Sequence, residues 1–226
     1  MRVDGCKCAA GWQQKSPALR ACAKRGRRIA SPRLNLAGRR LWFCWMNSLK
    51  GHFLIASATL TDPNFSSSVV LLVQHNSDGA MGVVLNRPTE LTVRQACEQA
   101  LGTECQFDGR LHQGGPCEAL LVAVHTDPTA AETEVLPGLY FTTTKDRMEQ
   151  LLESPVAGET RFFVGYAGWG PEQLEAELER GSWLVAPADV HRVFAPPDNL
   201  WTRLNTETKL TAWVDPKLIP DDPSVN

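Results

Sequence analysis

Apolar positions first become continuous in Gly51–Thr61, where Phe53-Leu54-Ile55-Ala56 predicts a buried strand. Ser67–His75 (SSVVLLVQH) is β-branched and unbroken, the pattern of a central strand covered on both faces. Asn76-Ser77-Asp78-Gly79 supplies residues that tolerate positive φ, and Ala80–Asn86 (AMGVVLN) returns as the antiparallel partner. Pro88 ends this hairpin because proline has no ladder donor. Thr92–Leu101 predicts a short helix capped by Thr92, with Val93, Ala96, Cys97 and Ala100 at helical spacing. Arg110–Gln113 is a short strand stopped by Gly114-Gly115-Pro116, Leu120–His125 a buried strand, and Thr126–Leu136 a polar connection.

Farther on, Leu139–Thr143 predicts a strand leading to a helix capped by Thr143 or Thr144, with Met148, Leu151 and Leu152 inward. Arg161–Tyr166 (RFFVGY) reads as a central strand running into the loop Ala167-Gly168-Trp169-Gly170. Pro171–Arg180 follows as a helix, with Leu174 and Leu178 one turn apart and Gly181 after its end. Trp183–Val185 is a strand, Pro187–Phe194 a short helix and Leu200–Leu210 an irregular or helical tail. Runs of strands separated by short helices predict an α+β fold rather than a doubly wound sheet.

Charge divides the chain in two. Residues 1–45 hold 11 Lys/Arg and one acid, whereas the remaining 181 residues hold 12 basic and 24 acidic side chains. Neither period 2 nor period 3.6 organises the head, which has too few apolar residues to offset the backbone entropy of ordering. It is expected to be disordered. Met46 stands directly before the first patterned strand, so the favoured account of 1–45 is a start-site artefact. A basic nucleic-acid arm (Lys24-Arg25-Gly26-Arg27-Arg28), an Arg-rich presequence and a zinc site at Cys6, Cys8 and Cys22 are weaker alternatives. Residues 46–226 are expected to form one domain, and its acidic balance disfavours phosphate backbones. No apolar run approaches the ~20 residues of a spanning helix. The cysteines are read as reduced thiols of a cytoplasmic protein.

Five separated motifs resemble the YqgE/AlgH family across nearly all of Met46–Trp201. They are Gly51-His52-Phe53-Leu54-Ile55-Ala56, Ser68-Val69-Val70-Leu71-Leu72 with His75, Gly79–Pro88, Gly114-Gly115-Pro116, and Gly165-Tyr166-Ala167-Gly168-Trp169-Gly170 with Gln173-Leu174-Glu175. The resemblance implies a strand-rich, bent or pseudo-barrel mixed sheet with short helices packed outside, in a family whose members start near Met46. Some members carry a transcriptional-regulator label.

Chemistry is sparse. Gly165-x-x-Gly168-x-Gly170 reverses the dinucleotide spacing and lacks a following Lys-Ser/Thr pair, and Glu172 and Glu175 repel a docked phosphate. The favoured reading of these glycines is a tight strand-to-helix turn, and the alternative is a binding loop that presents Trp169. The five histidines show no metal-ligand spacing, and no G-x-S-x-G elbow occurs. No catalytic residue, metal or cofactor is therefore assigned. Glu172, Glu175, Glu177 and Glu179 read as a solvated helix face, and Trp169 alone among the tryptophans is expected at a surface.

Loops at strand ends gather on one rim of a sheet, which makes Asn86, Arg87, His112, Gly114, Gly115, Gly168, Trp169 and Gly170 the candidate site for a protein partner, a peptide or a small anion. The structural alternative has Asn86 and Arg87 tying backbone carbonyls of neighbouring turns. The leading expectation is a non-enzymatic binding or regulatory module. An enzyme using Cys and His residues brought together by folding, and a nucleic-acid-binding regulator, are the alternatives.

Overall fold

The computed structural model describes residues 48–101, 105–153 and 159–213; the expectations for the head at 1–45 lie outside them. Within these residues the order is β1 (His52–Ala56), β2 (Val69–Asn76), β3 (Gly79–Val84), β4 (Pro88–Thr92), α1 (Val93–Leu101), β5 (Arg110–Gln113), β6 (Cys117–His125), β7 (Thr133–Leu136), β8 (Leu139–Thr142), α2 (Lys145–Glu153), β9 (Thr160–Trp169), α3 (Gln173–Glu179), β10 (Trp183–Pro187), α4 (Val190–Val193) and α5 (Leu200–Trp213). The strands form one curled sheet, a half-barrel with short helices around it, in the order β10-β1-β2-β3-β9-β6-β8-β7. This is the expected strand-rich α+β architecture. Its pairs are antiparallel apart from β5, which lies parallel to β9 and carries β4 on its other edge.

The continuous apolar runs form central strands because both faces of β1–β3 are covered. Phe53, Ile55, Val69 and Leu71 join Val193, Leu200 and Leu204 of the C-terminal helices in one core layer. Their alternating neighbours Leu54, Val70 and Leu72 pack with Leu174, Leu178 and Trp183 in the other. A third layer holds α1 and α2 against Leu111 and Phe162. The β2–β3 hairpin closes as expected: Asn76 Oδ1 accepts from Asp78 N at 2.8 Å, and Gly79 takes a φ of +128°.

α1 opens on a reciprocal cap, in which Gln95 N donates to Thr92 Oγ1 at 3.2 Å and Thr92 N donates to Gln95 Oε1 at 3.0 Å. Val93 and Cys97 are buried as their spacing predicts; the side chain of Ala100 lies outside those described. Thr144 stands at the start of α2, its carbonyl accepting from Met148 N at 3.0 Å, and Glu132 holds the approach by accepting from Thr143 N at 2.7 Å and Thr144 N at 3.1 Å. α3 is shorter than predicted because Glu172 sits at φ 59°, outside helical geometry, which leaves Pro171 before the helix. The connection Thr126–Leu136 contains β7, paired with β8 across Pro137-Gly138 with Gly138 at φ +77°.

β9 makes the bend. Phe162–Val164 run beside β5, whereas Ala167–Trp169 pair with β3. At the switch, Gly165 has φ +75°, and a Cβ there would lie 2.8 Å from Gly115 O and 2.9 Å from Cys117 O. The strand changes partners at a point where main chains nearly touch, which only glycine permits.

Candidate functional site at the fork of the sheet

Two of the three predicted loops meet. Pro88 pairs with His112, Gln113 N donates to Arg87 O at 2.8 Å, and Val84 N donates to Gly114 O at 2.8 Å. Gly114 and Gly115 press on β9, where Cβ atoms would come 2.2 Å from Gly165 O and 2.3 Å from Tyr166 C. The third loop divides: a Cβ on Gly168 would lie 3.7 Å from Cys117 Sγ, two residues beyond Gly115, but Trp169 is remote from Asn86. Trp169 pairs with Ala80, at the far end of β3 from Asn86, a separation of roughly 20 Å at about 3.3 Å per residue.

The side chains of the meeting loops are mostly engaged in holding the fold. Asn86 Oδ1 accepts from Val69 N and its Nδ2 donates to Ser67 O, both at 2.9 Å. Arg87 Nη2 donates to Pro63 O at 3.1 Å and Ser66 O at 3.3 Å. Both side chains thus fasten the loop between β1 and β2. His112 is 6% exposed and packs against Phe163 at 5.6 Å between ring centroids. Burial, and then the charge of Arg161, push its pKa down to about 4, so the ring is neutral at physiological pH.

Trp169 is not the surface residue that its glycine neighbours suggested. Gly168 and Trp169 belong to β9, Trp169 is 6% exposed, and its indole donates to Glu177 Oε2 at 3.0 Å. Trp183 Nε1 donates to the same oxygen at 2.9 Å, and Gln173 Nε2 to Glu177 Oε1 at 3.1 Å. Glu177 is therefore a buried acceptor and not part of a solvated face. Its position three residues after Leu174 and one before Leu178 places it on the inward side of α3, a spacing that identifies it. Gly170, beyond the strand, is exposed and donates its N–H to Gln173 Oε1 at 3.1 Å.

The break in the sheet opens a groove of about 310 Å³, lined by Thr89, Gln113, Gly115, Pro116, Val164 and Gly165. It exists because β5 stops after Gln113, β9 kinks at Gly165, and the β6–β9 register is irregular between Cys117 and Leu121. Val164 is left 42% exposed, directly beside Gln113 in the β5–β9 register. Thr89 donates to Leu111 O at 2.9 Å, which keeps its hydroxyl at the wall. Of the predicted residues only Gly115 lines the groove; Asn86, Arg87, His112 and Gly114 form the structure behind it.

Histidine–carboxylate contact occurs elsewhere. His75 Nε2 lies 2.8 Å from Glu175 Oε1, while its Nδ1 accepts from Leu49 N at 2.8 Å. That second bond fixes the proton on Nε2 and occupies both nitrogens. Cys97 and Cys105 are buried free thiols, and burial together with Cys105 raises the Cys97 pKa to about 11, away from the thiolate. Cys117, also at the groove, is disulfide-bonded, so the expectation of reduced thiols does not extend to it.

Residues 53–212 match the AlgH-like family model. A UPF0301 protein of Chlorobaculum tepidum is 43% identical over 159 residues, covering 68% of this chain and 83% of that protein. One from Streptomyces coelicolor is 39% identical over 191 residues, covering 80% and 97%. The solution structure of the AlgH protein from Pseudomonas aeruginosa superposes with a TM-score of 0.58 at 31% identity, covering 74% of this chain and 95% of that one. The fold, the spacing of its glycine motifs and these relatives agree: the chain belongs to the AlgH-like family.

Proposed function

We propose that this AlgH-like chain is a non-catalytic binding or regulatory module whose contact site is the groove at the fork. The observation that carries this reading is Val164, a β-branched side chain 42% exposed beside the Gln113 carboxamide inside a walled recess. An apolar contact beside an exposed carboxamide is the make-up of a recognition surface. Asn86, Arg87, His112 and Gly114 serve it as a frame, Gly115 as its wall and Gly168 as a neighbour of the groove residue Cys117, whereas Trp169 and Gly170 belong to a different part of the fold. The partner is another protein or a small ligand. The excess of acids after residue 45 disfavours a phosphate backbone as that partner.

The test replaces Val164 by Glu, with Gln113→Ala as a companion, and follows cross-linked partner recovery from the native source. About tenfold lower recovery, equivalent to roughly 1.4 kcal/mol, is expected from Val164→Glu with its circular dichroism unchanged. Recovery equal to wild type in both folded variants rejects the site.

A further inference from the structure

Two residues before the groove the sheet is still covered. Leu111 of β5 and Phe162 of β9 stand side by side in the register and are buried in the layer that holds α1 and α2. Gln113 and Val164 form the next pair on that face, because side chains alternate along a strand. Neither is covered: Gln113 is exposed, and Val164 is 42% exposed. The face continues as paired sheet but loses its helical cover, and the groove lies over this uncovered pair.

The chemistry of the recess narrows what fits it. Charged residues make up 21% of the chain, yet none lines the groove. An ion or a phosphate backbone entering it would give up water and gain no opposite charge. No aromatic ring lines it, so a nucleobase finds no platform to stack on. Gly115 and Gly165 instead present bare main chain to an occupant. The 310 Å³ of the groove lies at the lower end of the range of about 300–1,000 Å³ for ligand clefts, room for a side chain and the peptide groups beside it.

Gln113 supplies the polar contact. Its main chain is fixed, since its N–H donates to Arg87 O at 2.8 Å. Its carboxamide has no hydrogen-bond partner among the described residues. A carboxamide offers an acceptor and a donor side by side. In an extended chain the N–H and C=O of one residue point to the same side, so the two groups pair through two hydrogen bonds.

We propose, resting on the groove as the contact site, that its occupant is an uncharged, extended peptide segment of a partner protein. The main chain of that segment pairs with the Gln113 carboxamide, and an apolar side chain lies on Val164. Main-chain hydrogen bonds beside a side-chain pocket are the means by which extended peptides are recognised. A helix does not serve, because its main-chain groups are already paired within it.

The test follows the isotopically labelled full chain by NMR with the neutral blocked tripeptide acetyl-Ala-Val-Ala-amide at millimolar concentration. Expected are saturable shifts confined to the Gln113 side-chain amide, the Val164 methyls and the Gly165 N–H. Gln113→Leu, a change of similar size at an exposed position, is expected to bind the peptide about tenfold more weakly. N-methylation of the peptide's valine removes the paired N–H and is expected to abolish the shifts. Absence of saturable shifts in the wild type, equal binding of the N-methylated peptide, or equal binding by Gln113→Leu overturns the proposal. So do saturable shifts of the same groups with inorganic phosphate. Partner recovery that falls in Val164→Glu while the tripeptide fails to bind rejects the peptide occupant and leaves the groove as the contact site.

Discussion

Trp169 Nε1 donates to Glu177 Oε2 at 3.0 Å, and through that bond the last residue of β9 is locked to α3. Trp183 at the start of β10 shares the oxygen, and Phe65 packs against both indoles with centroids 6.1 and 5.5 Å away. One carboxylate therefore organises an aromatic cluster contributed by two strands and the β1–β2 loop. Glu177→Ala leaves two buried indole donors without an acceptor and is expected to cost on the order of 3 kcal/mol. Urea unfolding checks this as a lower midpoint at unchanged slope. A midpoint equal to wild type would show that the indoles find other acceptors at no cost.

Gly165 and Gly138 share a left-handed φ, +75° and +77°, but differ in their surroundings. Nothing lies within 4 Å of a Cβ placed on Gly138, whereas at Gly165 two carbonyl oxygens lie under 3.0 Å. Gly138→Ala is expected to cost about 1–2 kcal/mol from backbone strain alone. Gly165→Ala adds a clash with main chain that cannot rotate away, so its loss should be clearly larger. Equal thermal midpoints in the two variants would mean that the fork does not require close main-chain contact.

Asn86 bridges Val69 N and Ser67 O, and Ser67 is held at φ 55°. Asn86→Ala should destabilise by about 1–2 kcal/mol and speed amide exchange at Val69. Ser67→Gly relieves the left-handed residue and is expected to be neutral or to stabilise by up to about 1 kcal/mol. Hydrogen exchange followed by mass spectrometry, together with unfolding midpoints, separates the two effects.

His112 titrates near 4 in the folded chain against about 6.5 when unfolded. Between those values the unfolded state binds more protons, so stability rises with pH through the window and falls as pH drops from 6.5 toward 4. The full difference is on the order of 3 kcal/mol. His125 is shifted in the same direction, so the informative quantity is the difference between wild type and His112→Gln. The variant should show a flatter stability profile over this window. Parallel profiles would remove His112 as a source of acid sensitivity.

Local spacing alone determined much of this molecule. Continuous apolar runs specify strands buried on two faces, Asn76–Gly79 specifies a tight reversal, and Thr92 with Gln95 specifies a helix start, because each depends on neighbours a few residues away. The family motifs were legible for the same reason, as short runs of fixed order. Only the tertiary structure decided what the glycines are for and which polar groups are buried. Gly114, Gly115 and Gly165 are recognisable as places of freedom, but their mutual contact arises where β9 exchanges β5 for β3. Trp169 sits among glycines, which in sequence resembles an exposed loop; strand pairing and a carboxylate from α3 bury it. His75 and Glu175 stand 100 residues apart and share a hydrogen bond. Periodicity reports which side of an element meets apolar surroundings, whereas the bend of the sheet, a property of all its strands together, determines which side chains meet.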